Sequence, residues 1–394
     1  MREAFVSRNI IMEKIIYRNR KNTNSYKWDK ISAKYKDGEL IAAWVADMDF
    51  ATAKCVRESM KKISDFGAFG YAYAGDDYYN NFIKWEKTHF NHEIKREWIR
   101  FSTGVVAAIN WVVQAFTNEG DAIIIQTPVY HQFAESVTSN NRKLVCNELV
   151  NKDGNYSIDM ADFESKIVDN NVKLFILCSP HNPVGRVWKK EELSAMMDVC
   201  KKYNVLVISD EIHHDFVYGE NKHIPTMNIT NYNNLIMMTS STKTFNLAAL
   251  ENSIIIIKDK ALRDKYDSKT ANIHESSGNI MGYVAAAAAF GYGNEWLEQV
   301  KNIIYSNYLY MKKTLTKKYP KLVISPLEGT YLAWADFGAY LKPTQISDFF
   351  ENKCGIIFNY GESFGKNSKT FVRINLATSK KNIKEICDRI SKKL

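Results

Sequence analysis

The sequence predicts an α/β protein, a mostly parallel sheet covered by helices and completed by a smaller α/β domain at the C-terminal end. Two observations carry that expectation. Short apolar runs rich in β-branched and large aliphatic residues recur with amphipathic helical stretches between them, the pattern of strands buried between two helix layers. From residue 286 onward the chain changes character, with long helical patterns followed by short strands.

Taken in order, Ser102 is placed to cap a helix running through Thr117, with Val105, Val106, Ile109, Val112, Val113 and Phe116 at helical spacing. Strands are expected at Ala122–Gln126, Leu174–Cys178, Val205–Ser209, Leu235–Thr239 and Ser253–Ile257. Lys189–Tyr203 reads as a crossover helix with Leu193, Met196, Met197 and Cys200 on its apolar face. Short strands around Tyr331–Trp334 and Val372–Asn375 belong to the second domain. At 394 residues the chain exceeds one compact core of ordinary size. The expected division is 1–50 as a segment joining the small domain, 51–285 as the large domain and 286–394 as the small one.

Composition narrows the function. Hydrophobic residues at 45% and charged residues at 25% are ordinary for a globular protein. The formal charge is +9, but the lysines are scattered, and pairs such as Lys201–Lys202 and Lys317–Lys318 alternate with acids and apolar residues. A nucleic-acid binder needs a dense basic stripe, which is missing. Cys55, Cys146, Cys178, Cys200, Cys354 and Cys387 lie far apart without a Cys-x-x-Cys pair, and the histidines show no His-Glu-x-x-His spacing. That is a reduced, intracellular pattern without a zinc motif, in which Cys178 and Cys200 are core residues. No run reaches the length of a membrane span and the first residues form no apolar leader, so the cytoplasm is expected. Met12 is an alternative start that would leave residues 1–11 a dispensable extension.

Polar residues follow four of the runs directly. Gln126 leads into Thr127, Pro128 and Tyr130; Cys178 into Ser179, Pro180 and Asn182; Ser209 into Asp210, Glu211 and His213; and Thr239 into Ser240, Thr242 and Lys243. Ligands of open α/β sheets bind beyond the carboxyl ends of the strands, so these loops converge on one crevice. They bring it a lysine, an acid, an amide, an aromatic ring and hydroxyls. A lysine amine with an ordinary pKa of ~10.4 is protonated and a poor nucleophile at neutral pH. Burial or a carbonyl cofactor removes that difficulty, and a Schiff base is the usual use of such a lysine. A neighbouring acid then partners a pyridinium nitrogen, and hydroxyls with a helix N-terminus hold a phosphate.

Together these residues resemble the fold-type I pyridoxal-phosphate (PLP) enzymes of the aminotransferase class I/II group. More narrowly they resemble its MalY/PatB-type cystathionine β-lyase, or C–S lyase, branch. The resemblance runs from Arg18–Asp29 (RNRKNTNSYKWD) to the C-terminus, with branch signals at Trp44–Phe50 (WVADMDF), Ser209–His213 (SDEIH) and Ser241–Asn246 (STKTFN). It implies that Lys243 holds the cofactor as a Schiff base and moves protons at Cα and C4′. By the same resemblance Asp210 pairs with the pyridine nitrogen, Asn182 bonds the 3′-oxygen and helps seat the substrate carboxylate, Tyr130 stacks on the ring, and His213 lies nearby.

A phosphate cradle is implied at Gly104, Val105 and Val106, with hydroxyls from Ser240 and Thr242. Tyr71, in Gly70–Tyr73, matches a tyrosine that reaches a neighbouring subunit's phosphate, which implies a homodimer. Arg373, in Phe371–Asn375, matches the arginine that clamps the substrate α-carboxylate with a bidentate fork. Three positions depart from the pattern: His214 where a small hydroxyl residue is common, Ala249 in place of a glycine, and His131 where an aromatic is frequent. They bear on substrate preference, not on cofactor use.

The implied activity is α,β-elimination on a cysteine conjugate such as L-cystathionine, giving a thiol, pyruvate and ammonia. An aminotransferase shares every step through proton removal and stays open, as does a regulatory protein that keeps PLP only as a ligand. Plainer roles also remain for single residues. Asp210 could cap a helix, Arg373 sit in a structural ion pair, Tyr130 and Tyr71 simply pack, Asn182 serve a turn, and His213 be a satisfied core histidine.

Overall fold

A computed structural model describes residues 13–32 and 40–394; Met12 and residues 1–11 lie outside the described residues. Seven strands make the main sheet: β1 (Ile99–Ser102), β2 (Ala122–Thr127), β3 (Lys143–Glu148), β4 (Leu174–Cys178), β5 (Leu206–Asp210), β6 (Leu235–Thr239) and β7 (Ser253–Ile257). Their order is β1-β7-β6-β5-β4-β2-β3. Pairing is parallel from β3 through β2, β4 and β5 to β6, and only β7 runs against its neighbours. Helices used below are α1 (Lys54–Phe66), α2 (Asp76–Phe90), α3 (Val105–Phe116), α4 (Lys190–Lys202), α5 (Ser241–Thr244), α6 (Ile280–Tyr292), α7 (Asn294–Lys318) and α8 (Lys380–Lys393).

Strand alternation explains why the central runs are apolar throughout. In β2, Ile123 and Ile125 pack in one core with Val105, Ile109 and Val112 of α3, whereas Ile124 faces a second core with Phe163, Trp188 and Met196. Fully burying each such side chain contributes about 1.5–3 kcal/mol, so both faces demand covering helices. The two edge strands β1 and β3, which no apolar run announced, are only half buried and carry polar residues accordingly.

Two boundaries differ from the sequence expectation. β5 begins at Leu206 and includes Asp210, so the acid ends the strand itself. The expected cap at Ser102 is also corrected. Ser102 closes β1 opposite Ser253, and a residue held in a ladder is too far upstream to cap. α3 starts at Val105 with Gly104 as its N-cap, and the Ser102 hydroxyl takes the Gly104 N–H at 3.3 Å instead.

Beyond α6 and α7 a separate four-stranded antiparallel sheet forms from β8 (Val323–Ile324), β9 (Leu332–Asp336), β10 (Asn359–Tyr360) and β11 (Phe371–Asn375), in the order β8-β9-β11-β10. Ile41–Ala42 pairs in parallel with Ile356–Ile357, which ties the N-terminal stretch to this region. Among the described residues no helix is long and apolar enough to cross a membrane. The six cysteines are unpaired, with Cys178 and Cys200 buried.

The Trp44–Phe50 stretch is pinned by two asparagines from distant motifs. Asn246 accepts from the Met48 N–H at 2.9 Å and donates to the Met48 and Phe50 carbonyls at 3.0 and 2.9 Å. Asn375 donates to the Val45 and Asp47 carbonyls, both at 2.6 Å. Asn246 also sits at φ +59°, a left-handed conformation that asparagine tolerates and alanine resists. We expect Asn246→Ala to remove three hydrogen bonds and add backbone strain, lowering stability by ~2–4 kcal/mol. Urea unfolding followed by circular dichroism checks this.

Candidate active site

The carboxyl ends of β2, β4, β5 and β6 and the N-terminus of α3 open onto one cavity of about 480 Å³, where parallel sheets place their ligands. Asn182, Tyr130, Asp210, His213, Thr242, Lys243 and Arg373 all line it. Residues from four strand-end loops and from the small sheet thus meet in one space.

Lys243 rides on α5, the single turn of helix directly after β6. Its Nζ donates to the Ala46 carbonyl at 2.8 Å. Burial, reinforced by the Arg373 charge, pulls the amine down to about 8, against the opposing pull of Asp47 and Asp210. Near neutral pH a useful fraction is therefore unprotonated and nucleophilic.

Asp210 is buried at the end of β5. Its Oδ1 accepts from the Ile212 N–H at 3.1 Å, and among the described residues it has no ion-pair partner. Burial raises the carboxyl to about 7, with Glu211 adding to the rise. A buried acid short of a cationic donor suits a protonated ring nitrogen.

Arg373 reaches the cavity from β11 and is 3% exposed. Nη1 donates to Asn182 Oδ1 at 3.0 Å, and Nη2 to Asn359 Oδ1 at 2.6 Å and to the Trp44 carbonyl at 3.2 Å. Nε has no hydrogen-bond partner. Its three acceptors are neutral, and among the described residues no carboxylate stands within ion-pair distance. Burial lowers its pKa to about 10. A guanidinium buried without counter-charge is costly unless an anion arrives.

The remaining site residues divide. Gly104 has no side-chain cap to α3, a Cβ there would meet nothing within 4 Å, and Gly104, Val105 and Val106 line the cavity. The first N–H groups of a twelve-residue helix therefore face open space, a ready anion site. Thr242 lines the cavity, and so does Ser253. Ser240 does not. It caps α5 by accepting from the Thr242 N–H at 3.0 Å, and it donates to the Asn252 carbonyl at 2.6 Å.

His213 is buried with an unpartnered Nδ1. Burial, followed by the Lys243 and Arg373 charges, pushes its pKa well down, so it is neutral. Tyr130 donates its N–H to the Asn182 carbonyl at 3.1 Å, which joins two of the strand-end loops. Tyr71 stands fully exposed, outside the cavity of the single chain.

Further residues at or beside the cavity were given no cofactor or substrate contact by the sequence. Asn359 comes from a two-residue strand and reaches the site because it pairs directly opposite Arg373. Tyr26 lies against Trp44 at 5.4 Å between ring centroids, and both line the cavity. Tyr331 donates its hydroxyl to the same Ala46 carbonyl that Lys243 uses, at 2.7 Å. His131 also lines the cavity, its pKa lowered by burial.

Fold and site define an α/β enzyme whose cavity brings together a buried lysine, an open helix N-terminus and a guanidinium without a counter-charge. The chain belongs to the Aminotransferase class I and II family, whose sequence profile matches residues 44–390. Cystathionine beta-lyase PatB of Bacillus subtilis is 34% identical over 374 residues, which cover 94% of this chain and 97% of PatB. The crystal structure of cystalysin from Treponema denticola, which contains a pyridoxal 5′-phosphate cofactor, matches with TM-score 0.93 at 34% identity, covering 97% of this chain and 98% of that one. The PLP-bound C–S lyase from Staphylococcus hominis matches with TM-score 0.90 at 32% identity, covering 99% of each chain. The architecture is that of the fold-type I PLP-dependent transferases.

The lowered amine makes a direct prediction. Imine formation between Lys243 and pyridoxal phosphate in cofactor-free protein should accelerate as pH rises through about 8 and level off above it. Stopped-flow absorbance across pH measures this, and Lys243→Ala should show no such phase.

Proposed function

We propose that this chain is a PLP-dependent carbon–sulfur β-lyase, cleaving L-cystathionine or related cysteine S-conjugates to a thiol, pyruvate and ammonia. One observation carries the reading. A single cavity holds a nucleophilic amine, a buried acid without a cation and a buried guanidinium without an anion, in a chain 34% identical to a cystathionine beta-lyase. Each unmet charge has a counterpart in PLP and an amino acid. The acid suits a pyridinium, the guanidinium an α-carboxylate, and the open α3 N-terminus a phosphate.

Bound there, PLP supplies a carbonyl for amine exchange and a ring that draws electron density from the substrate α-carbon. Asp210 keeps the ring nitrogen protonated by offering it a carboxylate. Tyr130, which lines the cavity, would stack on the ring. Arg373 and Asn182 grip the α-carboxylate, which fixes the direction of the Cα–H bond. Lys243 Nζ takes the Cα proton, as its lowered pKa permits. The Cβ–S bond breaks, the thiolate leaves, and water converts the three-carbon remainder to pyruvate and ammonia.

Amino transfer shares the steps up to proton removal, so the assay must separate the two outcomes. We expect thiol and pyruvate from L-cystathionine without any added 2-oxo acid, and none from Lys243→Ala. Efficient amino exchange without thiol release would overturn the reading. Asp210→Ala should retain some cofactor yet lose turnover by roughly 10²-fold or more. Arg373→Ala should raise KM by roughly 10²-fold, with a smaller change in kcat, because it removes a charge-assisted carboxylate clamp.

The enzyme is also proposed to act as a homodimer in the cytoplasm, with Tyr71 reaching the phosphate of the neighbouring subunit. Phe66, Phe69, Tyr71 and Tyr73 are all exposed on the single chain, and so dense an aromatic patch favours a covering surface. Six unpaired cysteines suit a reducing compartment. Sedimentation velocity should find a dimer, and Tyr71→Phe should weaken PLP affinity by roughly tenfold, about the worth of one charge-assisted hydrogen bond, without dissociating it.

A further inference from the structure

The loop after β5 buries a second set of charged groups that the lyase chemistry leaves unused. Glu211, His214, Asp215 and His223 come from that loop, Glu86 from α2 and His92 from just beyond it, and all six are buried. They pair as His223 Nε2 with Glu211 Oε2 at 2.7 Å, His92 Nδ1 with Glu86 Oε2 at 3.0 Å, and His214 Nε2 with Asp215 Oδ2 at 3.1 Å. The pairing is incomplete. Glu86 Oε1 and His223 Nδ1 have no hydrogen-bond partner, and Glu86 Oε1 lies 3.7 Å from His214 Nε2.

Three of the six offer donor atoms that all fall within 4.8 Å of one another: Glu211, His214 and His223. A tetrahedral ion with bonds of ~2.0–2.2 Å to nitrogen and oxygen holds its ligands ~3.3–3.5 Å apart. Side-chain shifts of about an ångström close this set on one. Two imidazoles and one carboxylate, with a fourth position left for water, is a recurrent zinc-type ligand set.

The surroundings are those a metal ligand needs. The Ser209 hydroxyl and the Thr226 N–H donate to Glu211 Oε1 at 2.8 and 3.0 Å, so that oxygen is engaged and Oε2 is turned to His223. His214 sets its Nε2 3.1 Å from Asp215 Oδ2, a carboxylate–histidine pairing of the kind that orients metal-bound imidazoles. Its Nδ1 is left with only the Thr239 hydroxyl at 3.3 Å. Asp215 is itself fixed by the Thr244 hydroxyl at 2.6 Å and Trp85 Nε1 at 3.0 Å. A cavity of about 660 Å³, lined by His214, Asp215 and His223 and separate from the Lys243 cavity, supplies an entry path.

We propose that Glu211, His214 and His223 form a structural binding site for a zinc-class divalent ion, its fourth position filled by water from the adjoining cavity. The proposal does not depend on the lyase reading. It assigns a use to His214, which stands where a small hydroxyl residue is common in the MalY/PatB-type branch.

The test uses tag-free holoenzyme, dialysed against a chelator and then titrated with Zn²⁺ by calorimetry in two buffers of different ionisation enthalpy. Expected is one ion per chain. Co²⁺ should give the visible bands of a tetrahedral site, and Zn²⁺ should raise Tm. His214→Ser and His223→Gln should each weaken Zn²⁺ binding by roughly 10²-fold or more, and Asp215→Asn by roughly tenfold. His214→Ser should keep a cooperative unfolding transition whose Tm no longer responds to Zn²⁺. No saturable binding in the parent protein would overturn the proposal. So would binding that survives His214→Ser, since the ion would then sit on PLP or elsewhere.

Discussion

The architecture around the cavity depends on keeping a guanidinium out of water with nothing but neutral oxygens to hold it. Arg373 belongs to the small sheet, Asn182 to the loop after β4, Asn359 to an edge strand and Trp44 to the N-terminal stretch. Their shared hydrogen bonds bring four distant segments to one point. Desolvating such a cation costs several kcal/mol, and three neutral acceptors offset only part of it. The rest of the fold supplies the difference, through two cores on either side of the main sheet and a third that spans the helices and the small sheet.

The same logic governs the other two charged groups, and the pH signs follow. Asp210 has its carboxyl raised from 3.8 to about 7, so the folded chain holds a proton that the unfolded one has lost across that window. Stability from this group is present below 3.8 and is lost as pH rises through 7. Lys243 is lowered from 10.5 to about 8, so across that window the unfolded chain binds the extra proton and stability grows with pH. Both groups therefore weigh against the empty fold near neutrality. A ligand that brings a cation to the acid and converts the amine to an imine relieves both, so its binding is linked to folding.

Legibility followed burial. Runs such as Leu174–Cys178 and Ser253–Ile257 could be read because both faces are covered, which leaves no polar residue to blur them. The edge strands Ile99–Ser102 and Lys143–Glu148 carry polar residues on their open sides and look like loops. Lys243 and Asp210 were readable as polar residues placed directly after apolar runs. Asn359 was not, because its position arises from strand register with Arg373, a relation between segments that no local pattern encodes. Ser240 carries two demands on one hydroxyl. The motif marks its hydroxyl for a phosphate, whereas in this fold it caps α5 and bonds the Asn252 carbonyl. The triad at 211, 214 and 223 matches no standard metal-binding spacing, since the turn containing Thr226 folds His223 back onto Glu211.

The loop after β5 is thus a partition with chemistry on both sides. Asp210 and His213 look into the Lys243 cavity, while His214, Asp215 and His223 line the other one. The two sides meet at Thr244, whose hydroxyl bonds Asp215 and whose chain neighbour is Lys243. The amine is held by the Ala46 carbonyl, while Asp215, braced by Trp85 and His214, holds the neighbouring Thr244. Preorganisation of this kind matters because a proton-transfer group misplaced by about an ångström loses rate out of proportion to the displacement. A four-residue helix cannot hold such a position by its own hydrogen bonds. Its position is set from outside, by the Ser240 cap at its start, by Asp215 on Thr244 and by the Ala46 carbonyl on Lys243 itself.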